Sequence, residues 1–220
     1  CNLKNKLIHI QGDIRDFDVI KPLVQNSDYV FHEAASKMVV AMKKPRIDLQ
    51  TNIEGTFNIL EAARDVNVRI VHASTGSVLG SSDKPMKEDD PKNPTTLYGI
   101  SKLSGEMYNL FYAKEMGIKT SVIRYFHVFG PRQDYSGEAG VVSIFLSRVL
   151  RGEPPIIFSG GEQVRCFTYI EDDVDATLLL AKDNKSIGQV YNVASKNRIT
   201  INKLAEMIIN KYSKKPLSGS

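Results

Sequence analysis

Tyr98 and Lys102 stand four residues apart in the segment Tyr98-Gly-Ile-Ser-Lys102. On a helix this spacing places both side chains on one face, so a phenol and an ammonium can reach one pocket. A neighbouring cation favours the phenolate, and a phenol that normally titrates near about pH 10 then becomes a usable base closer to neutrality. Such a base suits the removal of a proton from a hydroxyl that is being oxidised. The alternative is an ordinary helix face with one aromatic residue and one solvated lysine.

Short apolar runs alternate with amphipathic stretches along the chain, which predicts an α/β fold whose parallel sheet is covered by helices. The pattern predicts strands over 7–10, 29–32, 69–73, 121–126, 155–158, 165–169 and 190–193. It predicts helices over 16–25, 49–66, 97–116, 141–150, 172–181 and 201–212. Pro94, Thr95 and Thr96 form a helix start and Gly117 a helix stop, so Tyr98 lies near the start of its helix.

Small and polar residues follow three of the predicted strands. These segments are His32-Glu-Ala-Ala-Ser36, Ser74-Thr75-Gly76-Ser77 and Tyr125-Phe-His-Val-Phe-Gly-Pro-Arg132. Ligands of open parallel sheets bind beyond the carboxyl ends of the strands, and small residues there let a flat ring or a pyrophosphate approach the backbone. The sequence therefore predicts a cofactor crevice at this edge.

Composition excludes several classes of protein. Lysine and arginine number 29 against 25 aspartate and glutamate, a net charge of +4. Because these charges are interspersed, we expect neither nucleic-acid nor membrane binding. Two cysteines and four scattered histidines predict no disulfide framework, no metal site and a reducing, cytoplasmic setting. No apolar run long enough to span a bilayer and no Gly-x-Ser-x-Gly motif is present, which argues against a hydrolase of that class.

An ordered set of motifs resembles the extended short-chain dehydrogenase/reductase family, in its NAD-dependent nucleotide-sugar epimerase/dehydratase branch. The motifs are Gly12-Asp13-Ile14-Arg15-Asp16, Phe31-His-Glu-Ala-Ala35, Asn52-x-x-Gly55-Thr-x-Asn58, Ser74-Thr75 with Val78-x-Gly80, Tyr98-x-x-x-Lys102, Arg124-Tyr-Phe-His-Val-Phe-Gly-Pro-Arg132 and Arg165-x-Phe-x-Tyr-Ile-x-Asp172. The resemblance spans essentially the whole chain.

The resemblance implies a Rossmann-like, doubly wound parallel sheet with a small, partial substrate-binding lobe. Family members open with a strand, a glycine-rich turn and a helix that holds the cofactor's pyrophosphate, and this first βαβ unit is missing here. We therefore expect a fragment truncated at both ends. The expected domains are an NAD-binding domain over 1–135, to which about 164–192 returns, and a lobe over 136–163 and 193–220.

By resemblance the cofactor is NAD. Asp13 would bind the adenine amino group, or it would only cap the following helix. The remaining cofactor residues line the ring, ribose and pyrophosphate path or hold the nicotinamide end: Ile14, Ala34, Ala35, Ser36, Asn52, Ser74, Tyr98, Lys102, Tyr125 and Phe126. Tight packing would also select small residues at 34–36, Asn52 could occupy a helix start, and Tyr125 and Phe126 could fill core.

The resemblance makes Thr75, Tyr98 and Lys102 catalytic. Tyr98 would take a proton from a sugar hydroxyl, Lys102 would lower the pKa of Tyr98 and bind the nicotinamide ribose, and Thr75 would hydrogen-bond the reacting oxygen. A dehydratase of this branch needs an Asp-Glu pair where Gly76 and Ser77 stand. Their small size favours rotation of a sugar, hence epimerisation.

Substrate residues also follow by resemblance. Lys37, Arg132 and Arg165 are candidates for the diphosphate, although surface ion pairs would explain them equally. Val141 and Val142 would lie near the base, or form the buried face of their helix. His127 stands where Asn usually contacts the nucleotide sugar, or it is a core histidine. Together with Thr75, Gly76 and Ser77 these residues make up the predicted substrate site.

The main hypothesis is a UDP-sugar 4-epimerase that binds no metal. A reductase, a decarboxylase, a dehydratase and a non-catalytic remnant that binds sugar nucleotides are the alternatives. A homodimer is also expected by resemblance, through the helices over 49–66 and 97–116. The outer residues Leu103, Met107 and Leu110 could instead face the sheet.

Overall fold

The computed structural model describes residues 6–82, 84–135 and 140–212. Its helices are α1 (Phe17–Gln25), α2 (Met38–Lys43), α3 (Pro45–Leu49), α4 (Gly55–Ala62), α5 (Leu97–Met116), α6 (Val141–Leu150), α7 (Ile170–Lys182) and α8 (Ile201–Tyr212). Its strands are β1 (Tyr29–His32), β2 (Arg69–Thr75), β3 (Lys119–Tyr125), β4 (Val128–Phe129), β5 (Val164–Cys166), β6 (Thr168–Tyr169), β7 (Val190–Val193) and β8 (Arg198–Thr200). A π-helical turn, Gln50–Glu54, joins α3 to α4.

The main sheet has the strand order β1-β2-β3-β7, and every neighbouring pair is parallel. The predicted α/β class with a parallel sheet is confirmed. His32 lies opposite His72 and Thr75 lies opposite Tyr125. The carboxyl ends of β1, β2 and β3 therefore meet at one edge, as the crevice argument requires.

Helices cover both faces of this sheet. On one face Ile70 packs in a cluster with Ile59, Leu60 and Tyr112 of α4 and α5. On the other, the next residue of β2, Val71, packs with Leu180 of α7. Because successive strand residues point to opposite faces, both must be apolar for a sheet wound on two sides.

A third apolar cluster joins α6 and α8 and includes Phe145, Val149, Leu204 and Ile208. Beside it, β5 pairs antiparallel with β8, while β4 pairs parallel with β6. Strand β7 is part of the main sheet, and helix α7 packs against that sheet. The predicted domain boundaries stay a prediction, and their parts at 1–5, 136–139 and 213–220, with Cys1, lie outside the described residues.

Two predicted strands are wrong. Residues 7–10 are irregular and exposed, and no described strand pairs with them. Residues 155–158 also form no strand. Pro154 and Pro155 lack the amide hydrogen that a ladder needs, and Phe158 is exposed.

Other predicted elements have different bounds. The helix predicted over 49–66 consists of the last residue of α3, the π-helical turn and α4, and it ends at Ala62. The strand predicted over 165–169 breaks at Phe167 into β5 and β6, which pair with different partners. The sequence pattern did not predict α2, β4 or β8, because each is too short to show a period.

Candidate active site

Helix α5 carries the reactive pair. The Thr96 hydroxyl caps it by accepting a hydrogen bond from the Gly99 amide at 3.0 Å, and the helix ends at Gly117, whose φ of 70° is left-handed. Tyr98, Lys102 and Glu106 follow one another at four-residue steps and so share one face. The same spacing that picked out the first two residues also predicts Glu106, which the sequence analysis missed.

The Lys102 side chain is buried, with only 2% of its surface exposed. Burial lowers its pKa to about 8, although Glu33, Glu106 and Asp48 act in the opposite direction. Within the described part of the chain, no hydrogen bond or ion pair satisfies this ammonium. A buried cation without a partner fits a site in which a bound molecule supplies the acceptors.

Tyr98 is half-buried, and its pKa is raised rather than lowered. Burial is the main cause and the negative charge of Asp48 the second, while a hydrogen bond with Thr75 opposes both. The expectation that Lys102 lowers this pKa is therefore wrong for the chain alone.

The segment after β2 holds Thr75, Gly76 and Ser77. The Thr75 hydroxyl accepts a hydrogen bond from the Ser77 amide at 3.2 Å and starts a short 3₁₀ turn, Gly76–Val78. A Cβ atom on Gly76 would lie 2.3 Å from the Phe126 ring. The small residue at 76 thus accommodates Phe126, and the room for a rotating sugar beside Gly76 and Ser77 stays a prediction.

An ion pair lies beneath Tyr98 and Lys102. Arg124 of β3 donates to both carboxylate oxygens of Glu106 at 2.7 Å, and both side chains are almost fully buried. The Ser74 hydroxyl donates to the same carboxylate at 2.6 Å. Ser74, predicted to contact cofactor, therefore has its hydroxyl proton engaged within the protein.

A second buried network surrounds Asn52. Its side-chain oxygen accepts from the Ser36 amide at 2.8 Å, and its amide nitrogen donates to Asp48 and Ser101 at 2.9 Å each. The Ser36 hydroxyl donates to Asp48. Asn52 lies inside the π-helical turn, so the alternative that it merely starts a helix is wrong.

Two buried histidines lie side by side near Lys102, with ring centroids 4.9 Å apart. The Thr56 hydroxyl donates to the Asn52 carbonyl at 2.7 Å, so it accepts from His32 Nε2 at 2.9 Å, which fixes the proton on that nitrogen. Burial lowers the pKa of His32 to about 3 and that of His72 well below its usual value. Both rings are therefore neutral. A Cβ on Gly105 would lie 3.0 Å from His72, so α5 passes close over the ring.

A cavity of about 440 Å³ opens on the α7 side of the sheet. Tyr125 lies there, and its hydroxyl contacts Thr177 at 2.7 Å and donates to Glu33 at 3.2 Å. Asp173 is buried, and neither carboxylate oxygen has a hydrogen bond. Burial, Asp172 and Glu33 raise the pKa of Asp173 to about 7. The apolar walls of this cavity are formed by Phe31, Val128, Ile170, Val174 and Leu178.

The predicted adenine residue Asp13 is exposed and pairs with Arg15, which lowers the pKa of Asp13 to about 2. Asp16, not Asp13, caps α1, so the alternative role of Asp13 as that cap is wrong. Ile14 packs against the cluster of α1 and α4. Ala34 and Ala35 are exposed in the loop after β1.

A second cavity, of about 290 Å³, brings together three predicted substrate residues: His127, Val141 and Arg165. Burial of the His127 ring and the nearby Arg165 lower the pKa of His127 to about 4, so this imidazole is neutral. The residue itself stays exposed and has a left-handed φ of 44°. It is therefore not a core histidine. Val142 packs in the α6 and α8 cluster beside this cavity.

The other two predicted cations lie outside this cavity's lining. Lys37 forms an exposed ion pair with Asp134 at 3.0 Å, as the alternative for Lys37 expected. Arg132 is exposed and has a left-handed φ of 68°.

Among residues 6–82, 84–135 and 140–212, no group of three His, Cys, Asp or Glu side chains could hold a metal ion, and no helix is long and apolar enough to cross a membrane.

Comparison with known proteins places these features in a family. The profile of the NAD dependent epimerase/dehydratase family matches residues 1–194. The chain is 37% identical over 196 residues to UDP-glucose 4-epimerase of Mycolicibacterium smegmatis. It is 36% identical over 202 residues to UDP-N-acetyl-alpha-D-glucosaminuronate decarboxylase of Bacillus cytotoxicus.

The crystal structure of UDP-glucose 4-epimerase from Thermotoga maritima with UDP-glucose superposes with a TM-score of 0.90 at 36% identity, covering 98% of this chain and 72% of that one. The matches to the two relatives above cover 87% and 89% of this chain. In each case the matched part is 62% of the relative's own length.

Proposed function

Because this chain belongs to the NAD-dependent epimerase/dehydratase family, we propose that it is the catalytic part of a UDP-sugar 4-epimerase. The proposed reaction is a transient oxidation at C4 of the sugar. The observation that carries the proposal is the pair on α5: Tyr98 stands beside Thr75, and one helical turn further the buried Lys102 has no partner in the described protein.

The family's cofactor is NAD, and when bound it supplies the hydride acceptor and later the hydride donor. Tyr98, as the phenolate, would take the proton of the sugar's C4 hydroxyl. Lys102 binds the nicotinamide ribose with its ammonium, which is charged below about pH 8. Thr75 hydrogen-bonds the reacting oxygen. After the keto sugar has rotated so that its other face is presented for reduction, Tyr98 would return the proton to the C4 oxygen.

The other cofactor roles remain proposals. Ala34 and Ala35 present a loop of small residues at the carboxyl end of β1, which suits the ribose and pyrophosphate path. Asp13 and Ile14 would bind adenine, and Phe126, held on Gly76, would pack near the nicotinamide. Ser36 and Asn52 are buried, so they would support the cofactor site from beneath the residues that line it.

A UDP-sugar is proposed as substrate because the relatives named above act on or bind UDP-linked sugars. His127, Val141 and Arg165 would bind it in the second cavity, with Val142, Arg132 and Lys37 around it. Arg165 offers the guanidinium for the diphosphate. A dehydratase is disfavoured because Gly76 and Ser77 replace the acidic pair.

A decarboxylase is the second candidate, since one relative at 36% identity has that activity. Only the decarboxylase releases carbon dioxide. The mass of the product therefore separates them.

The test uses the full-length protein with NAD and a panel of UDP-, dTDP-, GDP- and CDP-sugars, with products analysed by mass spectrometry and NMR. An epimerase gives a C4-inverted product of unchanged mass. Tyr98→Phe should lower kcat by about 10²- to 10⁴-fold, the usual contribution of general acid–base catalysis. Tyr108→Phe on the same helix should keep the rate. Loss of carbon dioxide or water, or binding without turnover, would overturn the epimerase assignment.

We also propose a homodimer through α4 and α5. Phe57, Met107 and Phe111 expose apolar surface on these helices, whereas Leu103 and Leu110 are half-buried. Sedimentation velocity measures this state directly. The cytoplasmic location stays a prediction from cysteine usage.

A further inference from the structure

Asp48, at the end of α3, is a buried carboxylate with 2% of its surface exposed. It accepts hydrogen bonds from the Ser36 hydroxyl and from the Asn52 side-chain amide, the latter at 2.9 Å. In the residues that the structure describes, no lysine or arginine forms an ion pair with it. The buried Glu106, by contrast, is paired with Arg124. A buried unpaired carboxylate is costly, so its presence calls for a reason beyond packing.

The hydrogen bonds of Asp48 lead to the reactive helix. Asn52 donates to the Ser101 hydroxyl at 2.9 Å, and Ser101 donates to the backbone carbonyl of Tyr98 at 3.0 Å. Asn52 also accepts from the backbone amide of Ser36, in the loop after β1. Asp48 is the charged member of this chain and hence its strongest acceptor.

We propose that Asp48 is a positioning residue for the oxidation step: through Asn52 and Ser101 it holds the first turn of α5, and with it Tyr98, in register with the loop after β1. This inference rests on the proposed function for its consequence on rate. The geometry that it describes stands on the hydrogen bonds alone.

The charge of Asp48 also acts on the two reactive groups. It raises the pKa of Tyr98, after burial as the main cause, and it helps to keep Lys102 protonated against the effect of burial. The other titratable groups that face this pair come from β1, the loop after it, β2 and α5. They are His32, Glu33, His72 and Glu106. Removal of the Asp48 charge alone should lower both pKa values, with these other groups unchanged.

Two substitutions separate position from charge. Asp48→Asn keeps the size and one acceptor oxygen but removes the charge. Asp48→Ala removes both the acceptor and the charge. Glu54→Gln is the matched control, because Glu54 lies in the adjoining π-helical turn and is exposed.

The measurements use the full-length protein. The first is the pH profile of kcat/KM with the sugar nucleotide that the protein turns over. The second is the ¹³Cζ resonance of Tyr98 in protein without substrate, identified by its loss in Tyr98→Phe and followed over pH. The resonance does not depend on turnover, so it tests the inference even if the proposed function fails.

Asp48→Ala should lower kcat by about tenfold to a hundredfold, as expected for a displaced base, with KM within about twofold. Asp48→Asn should recover most of that loss but move both the acid limb of the rate profile and the Tyr98 titration to lower pH. Glu54→Gln should match the unsubstituted protein in both measurements. The inference is overturned if the Tyr98 titration of Asp48→Ala superimposes on that of the unsubstituted protein, or if Glu54→Gln shifts it equally. It is also overturned if Asp48→Ala keeps full kcat.

Discussion

The two sides of the main sheet differ in how far the described chain satisfies its buried carboxylates. On the α5 side, Glu106 pairs with Arg124 and Asn52 is bonded at both ends of its amide. On the α7 side, Asp173 is buried without a hydrogen bond, and apolar residues such as Val174 and Leu178 are exposed. The carboxylate beneath the reacting groups is thus held by contacts within this chain, whereas the carboxylate in the α7-side cavity retains unmet hydrogen-bonding capacity. The contacts that hold Glu106 beneath the reactive pair are therefore complete within this chain, whereas the surface of the α7-side cavity is not.

The sharpest test of the comparison is Glu106→Gln. It leaves the Arg124 guanidinium buried with no opposite charge, so the free energy of unfolding should fall by about 3–5 kcal/mol. Urea denaturation followed by circular dichroism measures the change. Glu115→Gln is the control, since Glu115 forms an exposed pair with Lys114. It should change stability by no more than about 0.5 kcal/mol. Equal effects of both substitutions would contradict the distinction between the two environments.

Sequence reasoning found Tyr98 and Lys102 because a four-residue spacing on a helix is local information. The same spacing would have reached Glu106, but its partner Arg124 lies on β3, and the pairing of α5 with β3 is set by tertiary packing. Asp48 was missed because α3 is too short to show a period. The packing of Phe126 on Gly76 was not predicted because the two residues are distant in sequence. Residue types predicted the chemistry well, whereas contacts between elements required the structure.

A second test uses acid. His72 is neutral in the folded protein because burial holds its pKa well below the ordinary 6.5, so its contribution is complete above pH 6.5 and is lost as the pH falls below it. Between pH 7.5 and pH 5 the His72 side chain takes up a proton in the unfolded state but not in the folded state. This difference lowers the free energy of unfolding by about 2 kcal/mol.

His72→Leu should therefore lose about 2 kcal/mol less stability between these two pH values than the unsubstituted protein does. Denaturation at both values measures the difference. His9→Leu is the control, because His9 is exposed. An unchanged pH dependence in His72→Leu would mean that the folded state accommodates the charged ring.

The third test concerns the α7 side. The folded state raises the pKa of Asp173 from 3.8 to about 7. The contribution of this one group to stability is therefore most favourable below about pH 4 and is lost as the pH rises through 7. Asp173→Asn should raise the stability of this chain by at least about 1 kcal/mol at pH 8 and leave it nearly unchanged at pH 4.

Asp175→Asn, an exposed carboxylate on the same helix, provides the comparison and should alter neither value. A loss of stability at pH 8 in Asp173→Asn would mean that the carboxylate is satisfied after all. The contrast between the two sides of the sheet would then disappear.

The π-helical turn, Gln50–Glu54, makes the position of Asn52 depend on chain length. A turn of this kind holds one residue more than an α-helical turn. Deletion of a single residue there would restore a regular helix and rotate α3 by about 100° relative to α4, since 3.6 residues complete a turn. Asp48 would then face a different direction while the apolar core of α4 stayed in place. A single residue in this turn thus decides whether α3 only packs against its neighbours or is also connected, through Asp48, Asn52 and Ser101, to Tyr98.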